Sequence, residues 1–234
     1  EKIGTPFKKH GKYYFYKNDG LQNQNVLYVQ DTLDGEPRVF LDPNQLSEDG
    51  TVALTGISFS NDGKYVAYTI SRSGSDWTEI YVMDAATGKQ LEDHIEWAKF
   101  TGASWKGDGF YYSAYDAPAK GKEFSNVNEL HKIYYHKIGT PQSKDELIYQ
   151  NPDYPKRFYS AETSEDERIL FVYESGAGRG NNLFMKDLTK PNAPLVQLTT
   201  DFDYQYAPIE VIGDKMYIFT IYGAPKNRRM VADI

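Results

Sequence analysis

A two-part landmark recurs five times along the 234 residues of this chain. The first part is a turn that runs into an apolar strand. It reads Gly11-Lys12-Tyr13-Tyr14-Phe15, Asp62-Gly63-Lys64-Tyr65-Val66, Asp108-Gly109-Phe110-Tyr111-Tyr112, Glu165-Asp166-Glu167-Arg168-Ile169 and Gly213-Asp214-Lys215-Met216-Tyr217. About 20 residues later comes a second apolar strand that ends on a polar residue, usually Asp. These strands close at Asp31, Asp84, Lys137, Asp187 and Asp233, at intervals of 53, 53, 50 and 46 residues. A repeat of this length built from several strands is the mark of a β-propeller blade.

The second repeat illustrates the expected unit. Its strands run from Ala53 to Phe59, Tyr65 to Ile70 and Glu79 to Asp84, and a fourth falls between Lys89 and Phe100. The segment from Leu91 to Phe100 could by itself make two helical turns, but its neighbours read as strands. Segments such as Phe110-Tyr111-Tyr112-Ser113-Ala114-Tyr115 are apolar on both faces, as strands covered on each side by a neighbouring sheet should be. An irregular β-sandwich is the alternative, and it gives no reason for the period. The expected fold is therefore all-β, a partial β-propeller of four blades plus most of a fifth. The blades are bounded roughly at 7–50, 51–100, 101–150, 151–200 and 201–234. The fifth unit stops after its third strand, so the chain reads as a piece of a longer protein with an exposed blade edge that invites self-association.

Composition narrows the function. The chain has no Cys, which removes disulfides, thiolate metal sites and cysteine nucleophiles. Its net charge of −7 argues against nucleic-acid binding. No apolar run approaches the ~20 residues of a membrane-spanning helix. The opening Glu-Lys-Ile-Gly carries neither Met nor a signal sequence. The expected compartment is the cytoplasm, with the periplasm as the alternative.

Chemistry-bearing motifs are scarce. Gly56-Ile57-Ser58-Phe59-Ser60 and Gly102-Ala103-Ser104-Trp105-Lys106 approach a nucleophile elbow but lack its second glycine, and both open a repeat as core strands. His131 and His136 lie five apart, so on one strand they face opposite ways and share no metal. His10 and His94 fall at turn or edge positions and are expected to be solvated. Asp62-Gly63 and Asp201-Phe202-Asp203 lack the full ligand series of a calcium loop and read as turns. No metal site is expected. Gly176-Ala177-Gly178-Arg179-Gly180-Asn181 is a glycine-dense loop without the Lys-Ser/Thr of a phosphate cradle. It reads either as a flexible hairpin or as the support for an Arg179 that reaches into a central cavity. No residue set forms a self-sufficient active site.

Longer words of the sequence resemble the prolyl oligopeptidase family. They include Tyr14-Phe15-Tyr16-Lys17-Asn18-Asp19-Gly20, the stretch from Phe40-Leu41-Asp42-Pro43-Asn44 to Ala53-Leu54, Ser73-Gly74-Ser75-Asp76-Trp77, and Tyr134-Tyr135-His136-Lys137-Ile138-Gly139-Thr140. The likeness runs from about Phe7 to about Leu188 and more loosely to the end. It implies a parent in which a seven-bladed propeller covers an α/β-hydrolase domain carrying a Ser-Asp-His triad. Such a parent cleaves short proline-containing oligopeptides after proline, without metal or organic cofactor. The triad falls outside this chain, so no catalytic residue is assigned and the segment alone is expected to be inactive. Carried over by motif, the family's propeller contacts to substrate fall on Tyr111, where Phe is more usual, and on Phe158, where Met is common. A further contact falls on Arg179, in a loop that departs from the family's pattern. A stand-alone propeller that binds proteins or peptides is the competing reading.

Overall fold

The computed structural model describes residues 1–124, 127–176, 178–200, 202–220 and 228–234, with Arg228 through its backbone only. Among them, the regular structure is β-strand except for two short 3-10 turns, Pro43–Gln45 and Gln142–Lys144. No helix among the described residues is long and apolar enough to cross a membrane. The chain divides into two compact units, residues 1–103 with 138–144 and residues 104–137 with 145–234.

In the first unit, β1 (Lys2–Ile3) and β2 (Phe7–Lys9) both pair with β3 (Lys12–Asn18), which continues into β4 (Val26–Gln30) and β5 (Arg38–Leu41). A second antiparallel meander follows: β6 (Val52–Phe59), β7 (Tyr65–Arg72), β8 (Thr78–Asp84) and β9 (Gln90–Ala98). Three of these four strands lie within two residues of the sequence expectation, and β9 occupies the segment that could have been helical. Tyr14, Leu27 and Val29 from the first meander and Val66, Tyr68 and Ile70 from the second form one buried cluster.

The second unit contains three more antiparallel arrays. The first is β10 (Ser104–Lys106), β11 (Gly109–Ala114), β12 (Lys132–Lys137) and β13 (Glu146–Tyr149). The next is β14 (Phe158–Thr163), β15 (Ile169–Ser175), β16 (Asn182–Asp187) and β17 (Val196–Gln197). The last is β18 (Tyr206–Ile212), β19 (Lys215–Thr220) and β20 (Arg228–Asp233). All six residues of β11 are buried. Strand β15 shows why. Its Leu170 and Val172 join Tyr111, Ile133, Tyr159 and Phe184 on one face, while Ile169 and Phe171 join Leu183, Tyr206, Met216 and Ile218 on the other. A sheet covered on both faces cannot alternate apolar with polar residues, so the strands read as continuous apolar runs.

The landmarks have a local cause. Before β7, Ser60 Oγ donates to Asp62 Oδ1 (2.8 Å), which also accepts the Lys64 N–H (3.0 Å), while Ser60 Oγ accepts the Tyr65 N–H (3.0 Å). The same lattice recurs before β15. Ser164 donates to Asp166 (2.7 Å), which accepts from the Arg168 N–H (3.1 Å), and the Ile169 N–H returns to Ser164 Oγ (3.0 Å). Gly63 sits at φ 76° in the first turn and Glu167 at φ 60° in the second, so the left-handed step persists although the glycine does not. The strand-ending aspartates are turn formers too. Asp84 Oδ1 accepts from the backbone and hydroxyl of Thr87, and Asp187 Oδ1 does the same with Thr189.

Candidate functional site

In the second unit, polar groups converge where β14 begins and β15 ends. Phe158 opens β14 opposite Ser175, the last residue of β15. Its half-buried ring stands edge-on to His131, at 6.2 Å and 83°. His131 is almost fully buried, and its ring lies 4.7 Å from that of Tyr115. The Tyr159 N–H donates to His131 Nδ1 at 2.9 Å, so that nitrogen carries no proton.

Behind Phe158 lies a buried carboxylate. Glu174 projects from the same face of β15 as Leu170 and Val172, and is 2% exposed. It accepts from the Tyr159 hydroxyl (2.8 Å), Asn182 Nδ2 (3.1 Å) and the Arg157 guanidinium (3.2 Å). Three donors on a charged acceptor compensate its desolvation. Burial first, and then the hydrogen bond to this carboxylate, push the Tyr159 phenol far above its ordinary pKa. The Arg157 guanidinium is also flanked by aromatic faces, 3.4 Å from the Tyr154 centroid and 4.5 Å from that of Phe202.

The glycine-dense loop completes this end of the array. The Gly180 N–H donates to Phe202 O (2.7 Å) and the Asn181 N–H to Tyr204 O (3.0 Å). Asn181 also exchanges side-chain hydrogen bonds with the Tyr206 backbone, both at 3.0 Å. A Cβ on Gly180 would lie 2.0 Å from Tyr204 O, and one on Gly178 would lie 2.9 Å from Phe202 O. These glycines therefore let two backbones approach closely. Ala177 of the loop and Asp201 lie outside the described residues.

The three residues carried over from the resemblance are placed differently. Phe158 and the loop bearing Arg179 meet, since a Cβ on Gly176 would lie 3.7 Å from Phe158 Cδ2, and the Arg179 side chain is exposed. Tyr111 is 6% exposed within the core, 5.0 Å from the Tyr135 ring, and burial pushes its phenol up to about 12. It shares a buried cluster with Tyr159, the residue that follows Phe158. The sequence does not single out Arg157, Glu174 or Tyr159, and it raises His131 only as a metal ligand. Their readable signal is a polar residue in phase with buried apolar ones, as Glu174 is with Leu170 and Val172.

The remaining candidates are structural. Ser58 Oγ donates to Ala103 O at 2.9 Å within the first unit. His136 is fully buried and holds Asp145 at 2.7 Å, with the Tyr112 hydroxyl on the other carboxylate oxygen at 2.6 Å, out of reach of any substrate. His94 departs from its expected solvated position. It lies in β9, half-buried and 2.7 Å from Glu79.

A family model described as "Prolyl oligopeptidase, N-terminal beta-propeller domain" matches residues 1–234. A prolyl endopeptidase of Elizabethkingia meningoseptica is 48% identical over 233 residues, covering 99% of this chain and 32% of the relative. Prolyl oligopeptidase A of Galerina marginata is 34% identical over 255 residues, covering 95% and 35%. Among solved structures, prolyl oligopeptidase B of G. marginata, bound to a 35mer hydrolysis and macrocyclization substrate, superposes with a TM-score of 0.90 at 29% identity. That superposition covers 100% of this chain and 36% of the other. Oligopeptidase B of Leishmania major shares the fold, with a TM-score of 0.78 at 16% identity. The chain spans about a third of the length of the curated relatives it matches.

Proposed function

Because the chain belongs to the prolyl oligopeptidase family and matches its N-terminal β-propeller domain, we propose that it is the substrate-gating part of a serine endopeptidase that cleaves short peptides after proline. The observation that carries this reading is a match over 99% of the chain to only 32% of a prolyl endopeptidase. In this reading the chemistry resides in an α/β-hydrolase domain outside the segment, where a serine nucleophile, its histidine base and an oxyanion hole act together. The propeller admits and orients extended oligopeptides and excludes folded chains. The isolated segment is inactive.

Each antiparallel array corresponds to one blade, within 7–50, 51–100, 101–150, 151–200 and 201–234. Phe158 and Arg179 face the peptide, Phe158 as an apolar wall and Arg179 as an exposed cation beside it. Tyr111 supports that wall from inside the core, through its packing with Tyr159. Arg157, clamped by Glu174, Tyr154 and Phe202, fixes the backbone that presents Phe158. The exposed Ile209, Ile212, Phe219 and Val231 of β18–β20 favour self-association of the isolated chain. Light scattering that finds a strict monomer at high concentration counts against that part.

The direct test is a chimera in which this segment replaces the corresponding third of the E. meningoseptica enzyme. It should cleave a Gly-Pro fluorogenic amide and proline-containing oligopeptides but spare a folded protein, while the segment alone turns over neither. Robust turnover by the segment, or digestion of folded protein by the chimera, refutes the assignment.

A further inference from the structure

Away from the candidate site, β8 and β9 of the first unit bring together an imidazole and two carboxylates. Tyr81 stands opposite His94 in the register of these strands. Glu79, two residues before Tyr81, and Glu96, two residues after His94, therefore share the face of that pair. One ligand atom from each of Glu79, His94 and Glu96 lies within 4.8 Å of the other two. His94 Nε2 is 2.7 Å from Glu79 Oε1.

Two of the three groups are already held in orientation. The His94 ring stacks on Tyr81 with centroids 4.4 Å apart and planes 12° from parallel. Arg72 Nε grips Glu79 Oε2 at 2.5 Å, and the same guanidinium reaches the Tyr81 hydroxyl at 3.3 Å. Glu79 Oε1 faces the imidazole at 2.7 Å and also accepts longer bonds from the Tyr81 hydroxyl (3.3 Å) and Arg72 Nη2 (3.4 Å). Such outer partners, which orient a ligating side chain by hydrogen bonding, are the usual surroundings of metal-binding groups. The exposed Glu96 adds the third donor from the solvent side.

We propose that Glu79, His94 and Glu96 form a binding site for one divalent transition-metal ion of the zinc class. One imidazole nitrogen and two carboxylate oxygens suit a borderline cation with open positions for water. The set offers too few oxygens for calcium and no thiolate for a soft monovalent ion. Two carboxylates against one arginine leave a net negative charge to meet the cation. The bound ion would tie β8 to β9 through side chains, as a structural clip that neither depends on nor supplies peptidase chemistry.

The test uses the chain free of any affinity tag, titrated with zinc against a chromogenic competing chelator. One equivalent should bind saturably, and zinc should raise the melting temperature. Glu96→Gln and His94→Gln should each weaken that equivalent at least about tenfold, the lower bound being what loss of an outer partner alone produces. Glu96 is exposed, so its variant should retain the far-ultraviolet dichroism of the parent and thus report on binding alone. His10→Gln should bind as the parent does. Absence of a saturable equivalent, or an equivalent that survives both Glu96→Gln and His94→Gln, overturns the assignment.

Discussion

The chain carries 20 tyrosines, and the packing of its arrays makes a quantitative claim about what alkali should do to them. Tyr68, Tyr111 and Tyr115 are each less than a tenth exposed, and burial pushes all three phenols from the ordinary 10 up to about 12. Tyr159 and Tyr173 are pushed higher still, by burial and then by the carboxylates that accept their protons, Glu174 and Glu162. A raised pKa means that the folded state holds the proton more tightly than the unfolded chain. This contribution is fully present below pH 10 and is lost as pH climbs through the folded value. At about 1.4 kcal/mol per pH unit, each of the three loses about 1.4 kcal/mol at pH 11, so that together they remove about 4 kcal/mol there and about 7 kcal/mol at pH 12. Set against the ~5–15 kcal/mol by which a domain is ordinarily stable, that loss unfolds a domain at the low end of this range between about pH 11 and 12 and sharply weakens a more stable one over the same interval. The assay follows phenolate absorbance at 295 nm and strand dichroism in the same samples. Exposed tyrosines should ionise near pH 10 with the dichroism unchanged, and a second group should ionise abruptly, together with loss of the strands. Complete ionisation of all tyrosines near pH 10 while the strands persist would refute the burial argument.

Three further perturbations address the candidate site. Glu174→Gln keeps the volume but takes the counter-charge from the Arg157 guanidinium and makes the Asn182 bond neutral, at about 1 kcal/mol each, so urea unfolding should show a loss of about 2 kcal/mol. Gly180→Ala must force a Cβ into Tyr204 O and should cost at least about 2 kcal/mol, whereas Gly102→Ala, with open space around its Cβ, should be close to neutral in the same melts. In the chimera, Phe158→Ala should lower kcat/KM for a proline peptide about tenfold, the value of a lost apolar wall, with a smaller effect on melting temperature. Unchanged kinetics would remove Phe158 from the peptide's path.

What could be read from the sequence follows from the range of the forces involved. The repeat is legible because each unit rebuilds the same local turn, Ser60-Asp62 in one and Ser164-Asp166 in another, and because buried strands advertise themselves as apolar runs. Local propensity misleads only between Leu91 and Phe100, where β9 gains its hydrogen bonds from β8 rather than from itself. Phe158 was reached through resemblance. The Arg157–Glu174–Tyr159 network was not, because its partners lie 15 and 17 residues apart and meet only through strand register. His94 was misplaced for the same reason. Its partner Glu79 is 15 residues away on β8, and a histidine between Asp93 and Ile95 carries no local sign of that pairing.

This division also explains where function can reside in such a chain. A strand covered on both faces, as β11 and β15 are, has no side chain to spare for solvent, so a substitution there is answered by the core. On such doubly covered strands, only the ends and the loops beyond them offer groups to a ligand. The price of placing a polar group at an end is desolvation, and β15 meets it by setting Glu174 one step beyond Val172 with three donors waiting. Tyr111 and Phe158 separate on this criterion although both arose from the same resemblance. Tyr111 sits inside β11 and its replacement by Phe should register chiefly in stability, since it contributes packing at 6% exposure. Phe158 opens β14 beside the glycine loop, so its replacement should register chiefly in peptide handling. Measuring both variants in the chimera therefore tests whether strand ends, rather than strand interiors, carry recognition in this fold, and a Tyr111→Phe variant with altered peptide preference and unchanged stability would reverse that conclusion.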